Sequence, residues 1–349
     1  MRAFATLPRR AWASLRADVL VLPSRIFVFV GVVALVALPL IVDDRYVLRI
    51  VTMAAIFAVF AASWDLLAGY AGQVNFGHAL FFGIGAYSSA LLSQRLGLPV
   101  WLTMPLGALA AMLAGFLVGI PCLRLRGAYL SLATLALPII AISLLFAFPG
   151  FSGGELGISG LRRAVTSPVG NYYLAVLTML ASVFVMWKIG DSKIGLVLHA
   201  IREDEVACRA SGINTVRYKL AAFAISAFFA GAAGAMLAHF LRVAGPSSFE
   251  VALSFQVVIW GVFGGVATIY GPVVAVFVLY PLTEMLAAFE LFRSVRLLGF
   301  AVIVLAILLL MPRGLAPWLR DKIEAVCPRC KNRNAVVRRA CRVCDATLA

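Results

Sequence analysis

Charge is scarce in this chain. Only 13% of its 349 residues are charged, against about 25% in a soluble globular domain. Hydrophobic residues make up 63%, well above the roughly 45–50% of soluble domains. Those two figures exclude an ordinary soluble fold. Alternating segments of about ten residues, the mark of a membrane β-barrel, are also missing. The apolar runs are near-continuous and about twenty residues long, the length that carries an α-helix across a bilayer. The fold class is therefore an all-α polytopic membrane protein.

Acids are scarcer than bases, 15 against 30. No series of acids runs through the apolar segments, as a proton relay would need. Histidine is scarcer still. His78, His199 and His239 lie far apart, with no Ser, Cys or acid at motif spacing, so no catalytic constellation emerges and the chain is not read as an enzyme. Of six cysteines, Cys122 and Cys208 stand alone and four are confined to the tail.

The net charge of +15 is concentrated beside apolar runs. Residues 1–25 hold five arginines against Asp18, net +4. The tail from Arg313 holds nine basic residues against Asp321, Glu324 and Asp345, net +6. Residues 188–219 hold six basic residues against four acids, net +2. This distribution follows the positive-inside rule, so nucleic acid need not be invoked. It places both termini and the central polar loop in the cytoplasm. Arg162 and Arg163, and Arg293 and Arg296, fall on the outer side as mild exceptions.

The pattern yields ten spans. The first runs over Ile26–Val42 and is read as an uncleaved anchor; Asp43 and Asp44 mark its outer end. Val47–Leu67 follows, then a glycine-rich span, Val100–Cys122, Ala128–Phe148, Tyr172–Trp187 and Leu220–Leu241. Val251–Phe289 is long enough for two spans joined by an inner turn, and Leu297–Met311 closes the series. Eight spans is the alternative, if a glycine-rich region dips in without crossing. The segment from Phe148 to Asn171 is read as an outer loop.

Two stretches break the apolar pattern. The first, DLLAGYAGQVNFGHALFFGIGAY, sets Gln73, Asn75 and His78 among glycines that include Gly77. The second, VIWGVFGGVATIYGPVVAVFVLY, contains Gly264 and Gly265. Glycines at such places either let helices pack closely or permit a broken helix lining a cavity. Paired interruptions in the two halves of a transporter hint at internal repeats meeting at a pathway. For each polar residue here, close packing and a pathway role both remain open; a lone histidine such as His78 more often satisfies a buried partner.

The loop over residues 190–217 is the long polar segment inside the hydrophobic body. Ile194, Leu198, Ile201, Glu205, Cys208 and Gly212 follow helical steps, predicting one helix with an apolar face that Gly212 terminates. Arg202, Glu203, Asp204 and Glu205 offer either a docking surface or a solvated face.

The tail reads CPRCKNRNAVVRRACRVCDATLA. Cys327, Cys330, Cys341 and Cys344 form C-x2-C-x10-C-x2-C, a four-thiolate pattern suited to structural zinc. Disulfides do not suit a cytoplasmic tail. The spacing resembles short zinc-ribbon modules, although Lys331 and Asp345 stand where those carry glycine. Reduced thiols or an iron site are the alternatives.

Taken together, several motifs resemble the M-type permease of branched-chain amino acid ABC transporters. They are GYAGQVNFGHALFFGIGAY, RLRGAYLSLATLA, SKIGLVLHAIREDEVACRASGINTVRYKLAAFAISAFFAGAAGAM, GGVATIYGPVVAV and LLLMPRGL. The likeness runs in order over about Val47–Leu319. Two departures stand out: the cysteine tail, and Ala267 where the family tends to have glycine. The resemblance implies a permease domain over residues 26–312, between a basic segment (1–25) and a cytoplasmic tail (313–349). It implies a bacterial inner (plasma) membrane setting and a second homologous permease. It further implies two ABC ATPase subunits, a periplasmic solute-binding protein, and ATP used only through the partner. The polar loop would then be the coupling helix, with Arg202, Glu203, Asp204, Glu205 and Gly212 engaging the ATPase. Gln73, Asn75, Gly77, His78, Gly264 and Gly265 would line or brace the path for branched-chain amino acids or related small polar solutes. The rival is an ATP-independent channel or secondary transporter, which would need an intramembrane charged or ion site; no convincing one stands out. A third possibility, a metal-stabilised interaction module on a membrane anchor, leaves most of the spans without a use.

Overall fold

A computed structural model describes residues 23–125, 127–288, 305, 314–327, 329–330, 333–335, 341 and 344. Most of the N-terminal basic segment, Arg293 and Arg296, and the expected last span (apart from Leu305) lie outside the described residues. The chain divides into two compact units, residues 44–314 and a second made of residues 1–43 with 315–349.

The larger unit is a helical bundle. Its helices are α2 (Arg45–Asp65), α3 (Ala79–Arg95), α4 (Val100–Cys122), α5 (Ala128–Ala147), α7 (Pro168–Gly190), α8 (Lys193–Glu203), α9 (Glu205–Ala210), α10 (Thr215–Leu241), α11 (Val251–Gly264) and α12 (Tyr270–Ala288), with a one-turn α6 (Pro149–Ser152). The smaller unit holds α1 (Pro23–Ile41) and, in the tail, α13 (Leu315–Ile323) with an antiparallel hairpin of β3 (Glu324–Val326) and β4 (Arg333–Ala335). Five described helices are long and apolar enough to cross a membrane: α2 with its extension to Tyr70, α4, α5, α7 and α10.

Polar residues fix where the helices begin. The Asp44 carboxylate accepts from the Tyr46 N–H at the start of α2, Ser167 caps α7 ahead of Pro168, and Asn214 caps α10. Each such cap satisfies a donor that the first turn leaves unpaired.

Helices α2 and α10 form the centre. Nearly every side chain from Ala54 to Asp65 is buried, and so are Phe223, Ala227, Ala230 and Ala233. Small residues let α10 lie close along α3 and α4. Helices α4, α5 and α7 are peripheral and turn Leu113, Leu117, Leu132, Leu144, Leu177 and Phe184 outward. An apolar exterior of that extent suits hydrocarbon or another apolar partner rather than water.

The segment after α5, read as a loop, carries short elements of its own. It folds into α6, a 3-10 turn (Gly154–Leu156) and β1 (Ile158–Ser159), which pairs antiparallel with β2 (Val243–Ala244). His239 Nδ1 bonds the Arg162 carbonyl oxygen at 2.9 Å, and Arg242 Nε donates to Leu161 O at 3.0 Å. The chain direction of α7 and α10 puts this cap at one end of the bundle and α8–α9 at the other.

Candidate functional site

The first glycine-rich stretch contains a broken helix. Helix α2 runs on through a π-helical turn, Leu66–Tyr70, three residues past the predicted end at Leu67. The chain is then non-helical from Gly72 to His78 before α3 begins. Such backbone survives at membrane depth only where protein groups satisfy it. The Ser131 hydroxyl donates to Val74 O, and the Phe76 N–H donates to Thr134 Oγ1. Trp64 Nε1 donates to Asn75 O at 2.8 Å, and the Ala79 N–H donates to Ser254 Oγ. Gly77 fits because a Cβ there would run into the backbone carbonyl of Thr134.

The polar residues of this stretch brace it. Asn75 Oδ1 accepts from the Gly77 N–H, and Gln73 Nε2 donates to Ala71 O. His78 is fully buried, with Nε2 2.9 Å from Ser63 Oγ and its ring stacked on Phe60 at 5.0 Å. His239 likewise sits between Ser89 and Thr103, while the His199 ring packs against Tyr70 at 4.5 Å.

The second interrupted stretch meets the first at a residue that the motif reading passed over. Asp65, the last residue of α2, is completely buried. Its carboxyl oxygens accept from three successive backbone N–H groups, of Ala267 at 2.7 Å, Thr268 at 2.9 Å and Ile269 at 2.8 Å. The expectation that no convincing charged residue lies within the spans is corrected here by Asp65, inside the expected Val47–Leu67 span. An acid in an apolar run is a functional signal in itself, and it stood just before the glycine motif. Its partners could not be found from sequence, being some 202 positions away.

The turn that Asp65 holds is strained. Ala267 and Ile269 have φ of 64° and 57°, the left-handed region that costs a non-glycine residue about 1–2 kcal/mol. Ala267 stands where a glycine was expected, and the backbone there has the conformation glycine favours. Gly69 completes the junction; a Cβ on it would collide with Asp65 Oδ1 and lie 2.6 Å from Ala267 N. Gly264 and Gly265 pack on Gly271 and Gly314, not on the Gln73–His78 segment.

The polar loop forms a helical hairpin, not the single helix predicted. Asp204 is extended (φ −150°, ψ 100°) and separates α8 from α9. Helix continuity is lost because its carboxylate accepts from Val206 and Ala207, capping a new helix. Leu198, Ile201 and Cys208 are buried as a shared face, but Ile194 is exposed. Gly212 terminates α9 with φ +80°, and the Ile213 N–H closes back on Cys208 O.

The charged residues of the hairpin separate into two groups. Glu205 faces inward: it accepts from Lys219 Nζ at 2.7 Å and Thr215 Oγ1 at 3.2 Å, and pairs with Arg209. Burial pushes its carboxyl up, but hydrogen bonds and charge from Lys219 and Arg209 outweigh that and hold it below the usual range. Arg202, Glu203 and Asp204 face solvent beside exposed Val206, while Leu196 is exposed on the same hairpin. Arg202 also reaches into the bundle, its Nη1 donating to Gly69 O at 2.6 Å. A cavity of about 350 Å³ lies between Gln73, Val74, Leu125, Leu130, Ser131 and the Glu205–Lys219 pair.

In the tail, the Sγ atoms of Cys327, Cys330, Cys341 and Cys344 all lie within 4.8 Å of one another. Cys327 and Cys344 are 3.6 Å apart, and Cys330 and Cys341 3.4 Å. Thiolates at about 2.3 Å from a tetrahedral zinc stand about 3.8 Å apart, so this donor set fits a metal. The first pair follows β3, which pairs with β4, and Asn334 of β4 donates from Nδ2 to Cys341 Sγ.

Residues 46–311 match the model of the branched-chain amino acid transport system permease component family. The chain is 31% identical to the high-affinity branched-chain amino acid transport system permease protein LivM of Salmonella typhimurium, over 89% of this chain and 79% of that protein. It is 32% identical to LivM of Escherichia coli, over 86% and 77%. It is 25% identical to the permease protein LivH of Salmonella typhimurium, over 79% and 95%. No solved structure matches it.

Proposed function

Because the chain belongs to the family of branched-chain amino acid transport system permease components, we propose that it is a membrane subunit of an ABC importer for branched-chain amino acids or related small polar solutes. The observation that carries this reading is the family match across residues 46–311, nearly the whole of the larger unit. The chain supplies the path and a partner supplies ATP hydrolysis, so the chain itself is not an enzyme. Its partners are a second homologous permease, two ABC ATPase subunits and a solute-binding protein. The setting is the bacterial inner membrane, with both termini in the cytoplasm.

Helices α8 and α9 serve as the coupling element. Leu196 and Val206 are 72% and 69% exposed on a hairpin that also presents Arg202, Glu203 and Asp204. Apolar side chains exposed amid charge are what a docking surface requires. Glu205 holds the hairpin to the foot of α10, and Gly212 lets the chain turn back. Coupling needs contacts that differ between two states of the bundle. Gln73, Asn75, Gly77 and His78 shape the broken segment beside the 350 Å³ cavity, and Gly264 and Gly265 shape the opposing break. The four tail cysteines hold zinc, which cross-links the hairpin and does no chemistry on the solute.

The test is uptake by the reconstituted complex of both permeases, ATPases and binding protein. Leucine should accumulate only with ATP, and Gln73→Leu should lower uptake while the complex still assembles. Leucine flux through this chain alone, independent of ATP, would replace the importer with a channel or secondary transporter.

A further inference from the structure

A short line of hydrogen bonds and close packing runs from the hairpin to the strained turn between α11 and α12. Arg202 leaves α8, lays its Cγ 3.0 Å from where a Cβ on Gly72 would stand, and donates from Nη1 to Gly69 O. Gly69 is wedged against Asp65 Oδ1 and the Ala267 amide. Asp65 in turn gathers the N–H groups of Ala267, Thr268 and Ile269. Two of those three residues hold left-handed backbone that they would not adopt unaided. Gly69 belongs to the π-helical turn Leu66–Tyr70, which begins directly after Asp65 and is a helix irregularity of the kind that marks functional positions.

We propose that Arg202 and Asp65 are positioning residues that transmit displacement of the coupling hairpin to the α11–α12 turn. Arg202 holds the Gly69 carbonyl, and so the π turn, in register. The π turn aims the Asp65 carboxyl at the three amides. When the hairpin is pulled away from the bundle, Arg202 releases Gly69, Asp65 rotates, and the 267–269 turn relaxes. The breaks in the two halves of the chain then move as one. The consequence for transport rests on the importer reading above; the mechanical link does not.

Amide hydrogen exchange of the full chain in lipid nanodiscs tests the link. Asp65→Asn should speed exchange at Ala267, Thr268 and Ile269 by about tenfold or more, because an amide group cannot accept all three bonds. Arg202→Gln, whose amide is too short to reach Gly69 O, touches none of the three amides, yet should speed them by about threefold or more, while Arg202→Lys, whose longer chain brings a charged donor to Gly69 O, restores slow exchange. Coupling is reciprocal, so Asp65→Asn should also loosen α8. Unchanged exchange at 267–269 in Arg202→Gln, or an unaffected α8 in Asp65→Asn, overturns the proposal. If Arg202→Gln does not fold, the α8 measurement in Asp65→Asn decides alone. In the reconstituted importer, both variants should raise the ATP hydrolysed per solute moved, whereas a merely structural defect lowers both rates together. Failure of the wild-type complex to couple ATP to uptake would remove the importer reading and leave the exchange result standing.

Discussion

Replacing Glu205 with glutamine removes one charge and little volume, and its effect can be worked from the contacts. The carboxylate accepts from Lys219 at 2.7 Å, where the Lys219 side chain is 10% exposed, and pairs with Arg209, which is 46% exposed. A charge-assisted hydrogen bond to a mostly buried partner contributes about 1.5–3 kcal/mol net. The exposed Arg209 pair adds no more than about 0.5 kcal/mol after solvent screening. The hairpin should therefore lose about 2 kcal/mol of docking free energy, which is about thirtyfold faster amide exchange by local opening. Exchange over residues 193–212 should rise while α4 stays unchanged. Glu205→Lys should cost about 3–5 kcal/mol, since it leaves Lys219 without a counter-charge and adds a second cation. Lowering the pH should mimic the glutamine. The carboxyl sits below its ordinary 4.5 in the folded chain, so the hairpin keeps this contribution at neutral pH. It starts to lose it as pH drops under about 4.5, and loses it fully below the depressed folded value. Hairpin exchange in Glu205→Gln equal to wild type would refute the reasoning and return Glu205 to a solvated loop face.

Three further outcomes follow from the same contacts. Gly77→Ala forces a Cβ into the Thr134 carbonyl, so thermal unfolding in nanodiscs should show a loss of about 1–3 kcal/mol or more. Ala267→Gly relieves left-handed strain at φ 64° and should raise stability by about 0.5–1 kcal/mol, the relief being partly offset by the freer unfolded chain. Metal analysis of the full chain should find one zinc per chain, lost on Cys341→Ser with no change in the unfolding of the larger unit.

Much of this was legible because local chemistry decides it. Apolar run length marked the helices, glycines with Gln73, Asn75 and His78 marked the first break, and the cysteine spacing anticipated four sulfurs within 4.8 Å. The departure at Ala267 was visible as a missing glycine; its left-handed backbone gives that departure a physical meaning. What stayed hidden depends on partners distant in sequence. The Asp65 nest needs three amides about two hundred positions away. Glu205 looked like a surface residue until Lys219 and Thr215 folded over it. The break at Asp204 was missed because helical spacing continues through it, while a side-chain cap redirects the backbone. The strand pair β1–β2 is two residues long on each side, too short to leave a pattern.

The central claim is that α8–α9 is where an ABC ATPase takes hold of this bundle. The most direct test is to purify the tagged chain in mild detergent from its native membrane and identify what accompanies it. The account predicts recovery of an ABC ATPase, lost when exposed Val206 is changed to aspartate and retained when Leu177, exposed on α7, is changed to alanine. An ATPase that stays bound to the Val206→Asp chain would contradict the assignment of the hairpin. Its absence from the wild-type chain, together with solute flux that needs no ATP, would contradict the importer itself.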